Sequence, residues 1–421
     1  MMNDIYKKLL LSMSFAFLSA CGGDDNSGGG DDNGPEPIET TPLNNIANPV
    51  VFTQNYQNDN DDDLNDVSAQ QKQLLYRMLG VDGVETIAST LVFVPTAAAP
   101  TGGYKIVVWA HGTTGVGDGC APSVQGLGDT ATDVVEALLN AGYVVVAPDY
   151  EGLGTAGSHP FLNLKSEAFS ITDAVVAARD YLSKQGLQVS TQWATVEHSQ
   201  GGHAALGAAQ YAERAQLDYK GTIAFAPASN LHTILQAGEA RAAAVNPNSQ
   251  WPIYAQLDTF TTLAVAGMQG YSFSVDYSQV FKSDLATVAP KAETECLTAL
   301  GTSISIPMYS HISNPDNENF SNYGRLQDNF AEIPTIKKFL EKDSQPLLVP
   351  ITTPIYIYQG TDDPTVPKFV TDMLVNTAGN LGNNIIYKTD SALDPNYWDH
   401  DTVVSENLTS FLADISTLFQ N

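Results

Sequence analysis

Positive charge is scarce in this 421-residue chain: 19 Lys and Arg stand against 47 Asp and Glu, a formal net charge of −28. Such a surface repels phosphate backbones, which excludes nucleic acid as a partner, and it resists adhesion to anionic lipid. Its simplest use is to keep an exported protein soluble. The sequence has no H-E-x-x-H and no other metal-ligand spacing, so no metal site is expected. No cofactor signature is visible either. The glycine-rich run from Gly112 to Gly119 is not followed by Gly-Lys-Ser/Thr, so it is no phosphate cradle. There is no internal repeat. The apolar run Leu9 to Phe17 is too short to span a bilayer.

That short run is informative in its context. Lys7 and Lys8 precede it and Leu18-Ser19-Ala20-Cys21 follows, the layout of a signal peptide. The LSAC string resembles a bacterial lipobox, which implies that Cys21 is lipidated and becomes the mature N-terminus. Residues 1–20 then read as signal peptide. Residues 21–45, with GGDDNSGGGDDNG, read as a flexible acidic tether that has little to bury. The expected location is the bacterial cell envelope, at the outer membrane or the cell surface, with membrane contact through the N-terminal lipid only. Cys120 and Cys296 remain as either a disulfide, which an exported compartment permits, or two buried thiols.

The acidic stretch Asp59 to Asp66 resembles D-x-D-x-D calcium loops, but Leu64 stands at the turn glycine and Gln70 at the closing glutamate. It reads as a solvated loop, followed by a helix starting near Ser68. From Leu91 onward, near-continuous apolar runs recur at LVFV, IVVWA, YVVVAPDY, WATVEHS, TIAFAP, PIYIYQG and NIIYKT. Helical patterns such as 132–139 and 173–182 lie between them. Unbroken apolar strands alternating with helices imply a mostly parallel α/β sheet covered on both faces. The alternation breaks once, between Ser229 and about Pro350, where the pattern is helix and loop. That is too long for a connection within one compact domain, so it reads as an insertion placed to cover the site. The organisation expected is a core built from 46–230 and 350–421, with an inserted cap over 231–349 and a final helix from about Thr402.

The chemistry gathers around Thr195-Val196-Glu197-His198-Ser199-Gln200-Gly201-Gly202. Ser199 lies between a strand and a helix, like the nucleophile of a G-x-S-x-G turn, and the helix N-terminus favours developing negative charge. Glu197 occupies the place of the first glycine. It fits there only if its carboxylate points away from the turn and finds donors, and so it is expected to be structural. An attacking serine needs a base, and the base an orienting carboxylate. In Gly360-Thr361-Asp362-Asp363-Pro364-Thr365-Val366-Pro367 the register selects Asp363, with Asp362 as the fallback. His400 is the one histidine beyond it, set just before the final helix. Two amides should hold the oxyanion, those of Gln200 and of Thr113 in the H-G-x-x-G pattern at His111. His111 and Tyr150 border the site and are candidates to line it, with a turn-holding role the preferred reading for His111. Asp149 is expected to tie its loop, and His198 and His203 to be structural.

Taken in order, VWAHGTTG, APDYEGLG, EHSQGGHAAL and GTDDPTVP resemble the secretory lipase (lipase A-like) family of α/β-hydrolases from about Leu91 to the C-terminus. The resemblance implies an ester hydrolase with a helical cap between the sixth and seventh strands and acyl groups under that cap. It implies Ser199, Asp363 and His400 as the triad and Thr113 and Gln200 at the oxyanion hole. Two rivals stand beside it. One is an α/β-type serine peptidase, which shares the triad order; the other is an inactive hydrolase fold used as a surface binding lipoprotein.

Overall fold

Alternate residues of the central strands feed two different cores. In β4 (Tyr104–Val108) and β5 (Val144–Pro148), Ile106, Val108, Val144 and Val146 pack on one side of the sheet. Val107 and Val145 pack on the other. A strand buried on both faces has no polar side to alternate, which is why these runs are nearly all Val and Ile. The computed structural model describes residues 40–272, 275–390 and 397–420. The signal segment, Cys21 and most of the tether lie outside the described residues.

The remaining strands are β1 (Val50–Asn55), β2 (Ser68–Leu79), β3 (Glu85–Pro95), β6 (Val189–His198), β7 (Asp218–Phe225), β8 (Ile355–Gln359) and β9 (Ile385–Thr389). They form a nine-stranded sheet in the order β1-β2-β3-β5-β4-β6-β7-β8-β9. Pairing is parallel from β5 across to β9 and antiparallel among β1, β2, β3 and β5. This is the α/β-hydrolase architecture, a mostly parallel sheet flanked by helices. All seven apolar runs become strands. One expectation fails: the segment from Ser68 is strand β2, not a helix. Its residues Leu74, Tyr76 and Met78 are fully buried at a period of two. Pairing with β1 and β3 on both edges overrides the helix-favouring Gln, Lys and Leu composition.

Helices α1 (Asp129–Asn140), α2 (Leu164–Lys184) and α3 (Gln200–Gln210) flank the sheet. The Asn163 side chain caps α2 by accepting from the Ser166 amide at 3.1 Å. Between β7 and β8 the chain is helix and loop apart from the isolated bridge of Phe281 with Leu326. The long helices there are α4 (Leu231–Ala243), α5 (Trp251–Tyr271) and α6 (Leu297–Ser313). They enclose their own apolar cluster, with Leu263, Met268, Phe281, Leu300 and Met308 at its centre. The chain closes with α7 (Lys368–Asn380) and α8 (Leu408–Leu418), and Phe411 and Ile415 of α8 bury against the sheet. Residues 41–421 form one compact unit.

The acidic stretch is a short 3₁₀ segment, Asp59–Asn65. Asp61 is buried in it, accepting from the Leu127 amide at 3.0 Å and from the Tyr56 hydroxyl. Its carboxylate therefore ties two loops together. Among the described residues no group of His, Cys, Asp or Glu side chains is arranged to hold a metal ion.

Candidate active site

Ser199 caps α3 at the end of β6 with φ of +58°, a left-handed backbone that a non-glycine residue adopts at a cost. Three hydrogen bonds hold the turn in that shape. The Ser199 amide donates to Phe225 O at 2.9 Å, and its carbonyl accepts from His203 at 3.0 Å and Ala228 at 3.2 Å. Close packing explains the two glycines that follow. A Cβ on Gly202 would sit 3.0 Å from Phe225 O, and one on Gly201 only 2.3 Å from Ala110 O. The sharp turn thus projects the Ser199 hydroxyl away from the sheet edge, and Gln200 begins the helix, where its amide has no partner within the helix.

Two loops bring side chains to that hydroxyl. After β8, Asp363 is buried and accepts from the amides of Thr365 and Val366, each at 2.8 Å, and from Gln359 Nε2 at 3.1 Å. After β9, His400 lies 2.8 Å through Nδ1 from Asp363 Oδ2 and 2.9 Å through Nε2 from Ser199 Oγ. The loop approach needs Gly360, where a Cβ would lie 2.1 Å from Trp398 O. Asp362, the alternative acid, is exposed, and its amide donates to Trp398 O at 3.3 Å. The structure therefore brings Ser199, His400 and Asp363 into one hydrogen-bonded line and leaves Asp362 out of it.

Thr113 lies in the loop that leaves β4 through Ala110, His111 and Gly112. Gly112 packs against the elbow, since a Cβ there would be 3.9 Å from Ser199 Cβ. Three anchors fix this loop. His111 Nε2 is 3.2 Å from Asp149 O, the Tyr150 hydroxyl donates to His111 O at 2.9 Å, and Leu297 of α6 donates to Thr114 O at 2.8 Å. A disulfide joins Cys120 to Cys296, the residue before α6. Tyr150 is fully buried, so it supports the loop from behind and offers no surface to a substrate. His111 is likewise buried and packs at a tilt against Tyr150, with 4.5 Å between ring centres. Asp149 ties its own loop, accepting from the Ser89 hydroxyl at 2.5 Å and the Ser123 amide at 2.9 Å.

The flanking histidines have separate places. The His198 ring lies 4.7 Å from that of His400, and burial pushes its pKa down to about 3, so it packs there as a neutral ring. His203 faces Glu167 Oε2 at 2.6 Å and Ser344 O at 3.0 Å. The same Glu167 accepts from Gln200 Nε2 at 2.8 Å, and that amide group also donates to His159 Nε2 at 3.0 Å. Burial holds His159 down at about 4, consistent with its acceptor nitrogen. This network orients Gln200 from α2 and was not singled out from sequence. Its one visible signal was Glu167, an acid on the otherwise apolar start of α2. The helices between β7 and β8 hold the Asp363 loop as well: Arg241 donates to Pro364 O at 2.7 Å, and Gln256 Nε2 to Thr365 Oγ1 at 2.9 Å.

The model of the secretory lipase family matches residues 128–404, well over half of the chain. The chain belongs to the secretory lipase family. A secretory lipase is a carboxylic ester hydrolase, and the family implies ester or lipid substrates. No curated protein matches this chain by sequence. Among solved structures, Candida antarctica lipase A in its closed state is 18% identical with a TM-score of 0.61, over 89% of this chain and 82% of that one. The rice cell wall degrading esterase LipA from Xanthomonas oryzae is 17% identical with a TM-score of 0.61, over 88% of this chain and 96% of that one. A hydrolase of unassigned role from Legionella pneumophila is 18% identical with a TM-score of 0.66, over 87% of this chain and 98% of that one. At such identities these structures speak for the shared fold.

Proposed function

We propose that this secretory lipase cleaves esters through Ser199, His400 and Asp363 by way of an acyl-enzyme. The observation that carries the reading is the unbroken line of hydrogen bonds from Asp363 through His400 to Ser199. Ser199 Oγ attacks the ester carbonyl carbon as His400 Nε2 takes its proton. Asp363, accepting from Nδ1, holds the ring in the needed tautomer and stabilises the imidazolium that forms. The tetrahedral oxyanion is held by the amides of Thr113 and Gln200. His400 then gives its proton to the departing alcohol, leaving the acyl group on Ser199. Water attacks that ester with His400 again as base, and collapse releases the acid and the free serine.

The deeply buried Asp363 side chain keeps three donors whatever the state of His400, so the acid needs no further rearrangement during the cycle. The helices over 231–349 serve as a cap that closes over the acyl group. Residues 46–230 and 350–421 make the core. Export followed by lipid attachment at Cys21 completes the proposal, supported by the lipobox-like LSAC string, by the secretory family and by the disulfide. No helix among the described residues is long and apolar enough to cross a membrane.

The test is Ser199→Ala on purified protein with a p-nitrophenyl ester, alongside labelling of the wild type by a fluorophosphonate probe. Activity should fall by about 10⁶-fold, as for loss of a catalytic nucleophile. Labelling should map to Ser199. Full esterase activity in the variant would overturn the reading. An aminoacyl anilide, tested beside the ester, should be a far poorer substrate; the reverse order would favour a peptidase.

A further inference from the structure

Glu197 stands where a G-x-S-x-G turn has its first glycine, and its surroundings give it a definite task. It is fully buried near the end of β6, two residues before Ser199. Its side chain crosses to the end of β4, where the Ala110 amide donates to Oε1. Ala110 lies two residues past the end of β4, in the loop that continues as His111, Gly112 and Thr113. The second oxygen, Oε2, has no hydrogen-bond partner and is closed off from solvent.

The elbow packs closely beside it: a Cβ placed on Gly201 would lie 2.9 Å from Glu197 Oε2, 2.3 Å from Ala110 O and 3.1 Å from His111 O, so only glycine fits there. An ionised carboxylate would leave a buried charge with a single donor and one oxygen unpaired, which is costly. A proton on Oε2 removes the charge while Oε1 keeps the Ala110 amide. We propose that Glu197 is a positioning residue that works as a neutral carboxylic acid, pinning the root of the oxyanion loop to the strand that carries the nucleophile. The proposal rests on the reading of the Thr113 amide as an oxyanion donor.

The electrostatic surroundings agree. Burial drives the Glu197 carboxyl well above the usual carboxylate range, and the Ala110 amide opposes this only in part. The titratable side chains that feel its charge are Tyr150, behind the loop, and Tyr219 of β7. Burial holds both phenols in the neutral form. His111 turns its ring towards Gly112 and Asp149, and no cation offsets the Glu197 charge. The clamp holds while Glu197 keeps its proton. Ionisation as pH rises leaves a buried charge with one donor at the root of the loop and releases it.

The experiment compares wild type, Glu197→Ala and Glu197→Gln for kcat and KM on a short p-nitrophenyl ester across neutral and alkaline pH. Folding is checked at each pH by circular dichroism. Alanine leaves the Ala110 amide unpaired and should lower kcat by roughly 10- to 100-fold with KM within about twofold, since the oxyanion is bound only in the transition state. Glutamine supplies both an acceptor and a donor and cannot ionise. It should recover most of the lost kcat and lack the fall at high pH expected of wild type. Wild-type kcat in a folded Glu197→Ala would overturn the assignment. If the alanine variant does not fold, the glutamine profile decides, and an alkaline limb superimposed on that of wild type would also overturn it. Ser199→Ala, assayed in parallel, separates the two readings. If that variant is dead while the Glu197 variants match wild type, the Glu197 assignment alone fails; if it stays active, the triad reading fails.

Discussion

The acid loop and the nucleophile elbow each bury a carboxylate, and they treat it in opposite ways. Asp363 receives two backbone amides and a glutamine N–H and still turns one oxygen to His400. Glu197 receives one amide, and its other oxygen is buried with no hydrogen-bond partner. Depth of burial is similar, with Asp363 5% exposed and Glu197 fully enclosed. The difference lies in the donors. A buried carboxylate that is surrounded by N–H groups can stay charged and serve as an electrostatic partner, whereas one with a single donor is favoured as the neutral acid. The two loops thus use the same functional group, one as a charge and one as a neutral clamp.

Replacing each acid by its amide is the sharpest way to break that comparison. Asp363→Asn removes the charge, and an NH₂ facing His400 Nδ1 favours the wrong tautomer; kcat should drop by about 10⁴-fold. Glu197→Gln preserves the hydrogen bonds of a neutral acid and should cost far less. Equal losses in the two variants would show that Glu197 also acts as a charge. Steady-state kinetics at neutral pH read the difference directly.

Stability gives a second, smaller measure. Between the ordinary glutamate pKa and the raised value in the fold, the native state holds a proton at Glu197 that the unfolded chain has released. Stability therefore declines as pH rises through that window, by about 1.4 kcal/mol per pH unit at most. Glu197→Gln lacks the titration, so its unfolding free energy relative to wild type should improve as pH rises above the ordinary glutamate pKa. Urea melts at four pH values would show the two curves diverging. Parallel curves would mean that Glu197 ionises in the fold as readily as outside it.

Much of this contrast was open to reading from sequence, and some of it was not. The strands declared themselves because Val and Ile buried on both faces leave unbroken apolar runs, as at Val144–Val146. Ser199, Asp363 and His400 stood out through order and spacing, since each sits just past a strand end where this sheet gathers its loops. Segment 68–79 misled because a strand near the sheet's edge is half-exposed and tolerates Gln, Lys and Arg, so composition mimicked a helix while the period-two burial of Leu74, Tyr76 and Met78 went unread. Tyr150 looked like a pocket residue because it borders the site in sequence; only the packing shows it behind the loop, bonded to His111 O. The partner of Glu197 is Ala110, in the loop after β4, and no local pattern reveals that this distant amide and Gly201 close around it.

The smallest expected effect tests the register on which the whole comparison rests. Asp362 and Asp363 are adjacent, chemically alike and equally acidic in sequence, yet one is exposed and the other buried. Backbone direction separates them: the Asp362 amide is engaged with Trp398 O, and its side chain has solvent around it. Asp362→Asn should change kcat by less than about twofold and stability by no more than about 0.5 kcal/mol, as for an exposed group outside any network. Because solvent screens its charge, its influence on His400 is weak even at this short sequence distance. A large loss of kcat in Asp362→Asn with little loss in Asp363→Asn would shift the acid by one residue and dissolve the contrast with Glu197. The opposite pattern ties the catalytic charge to Asp363, whose oxygens are held by three N–H donors.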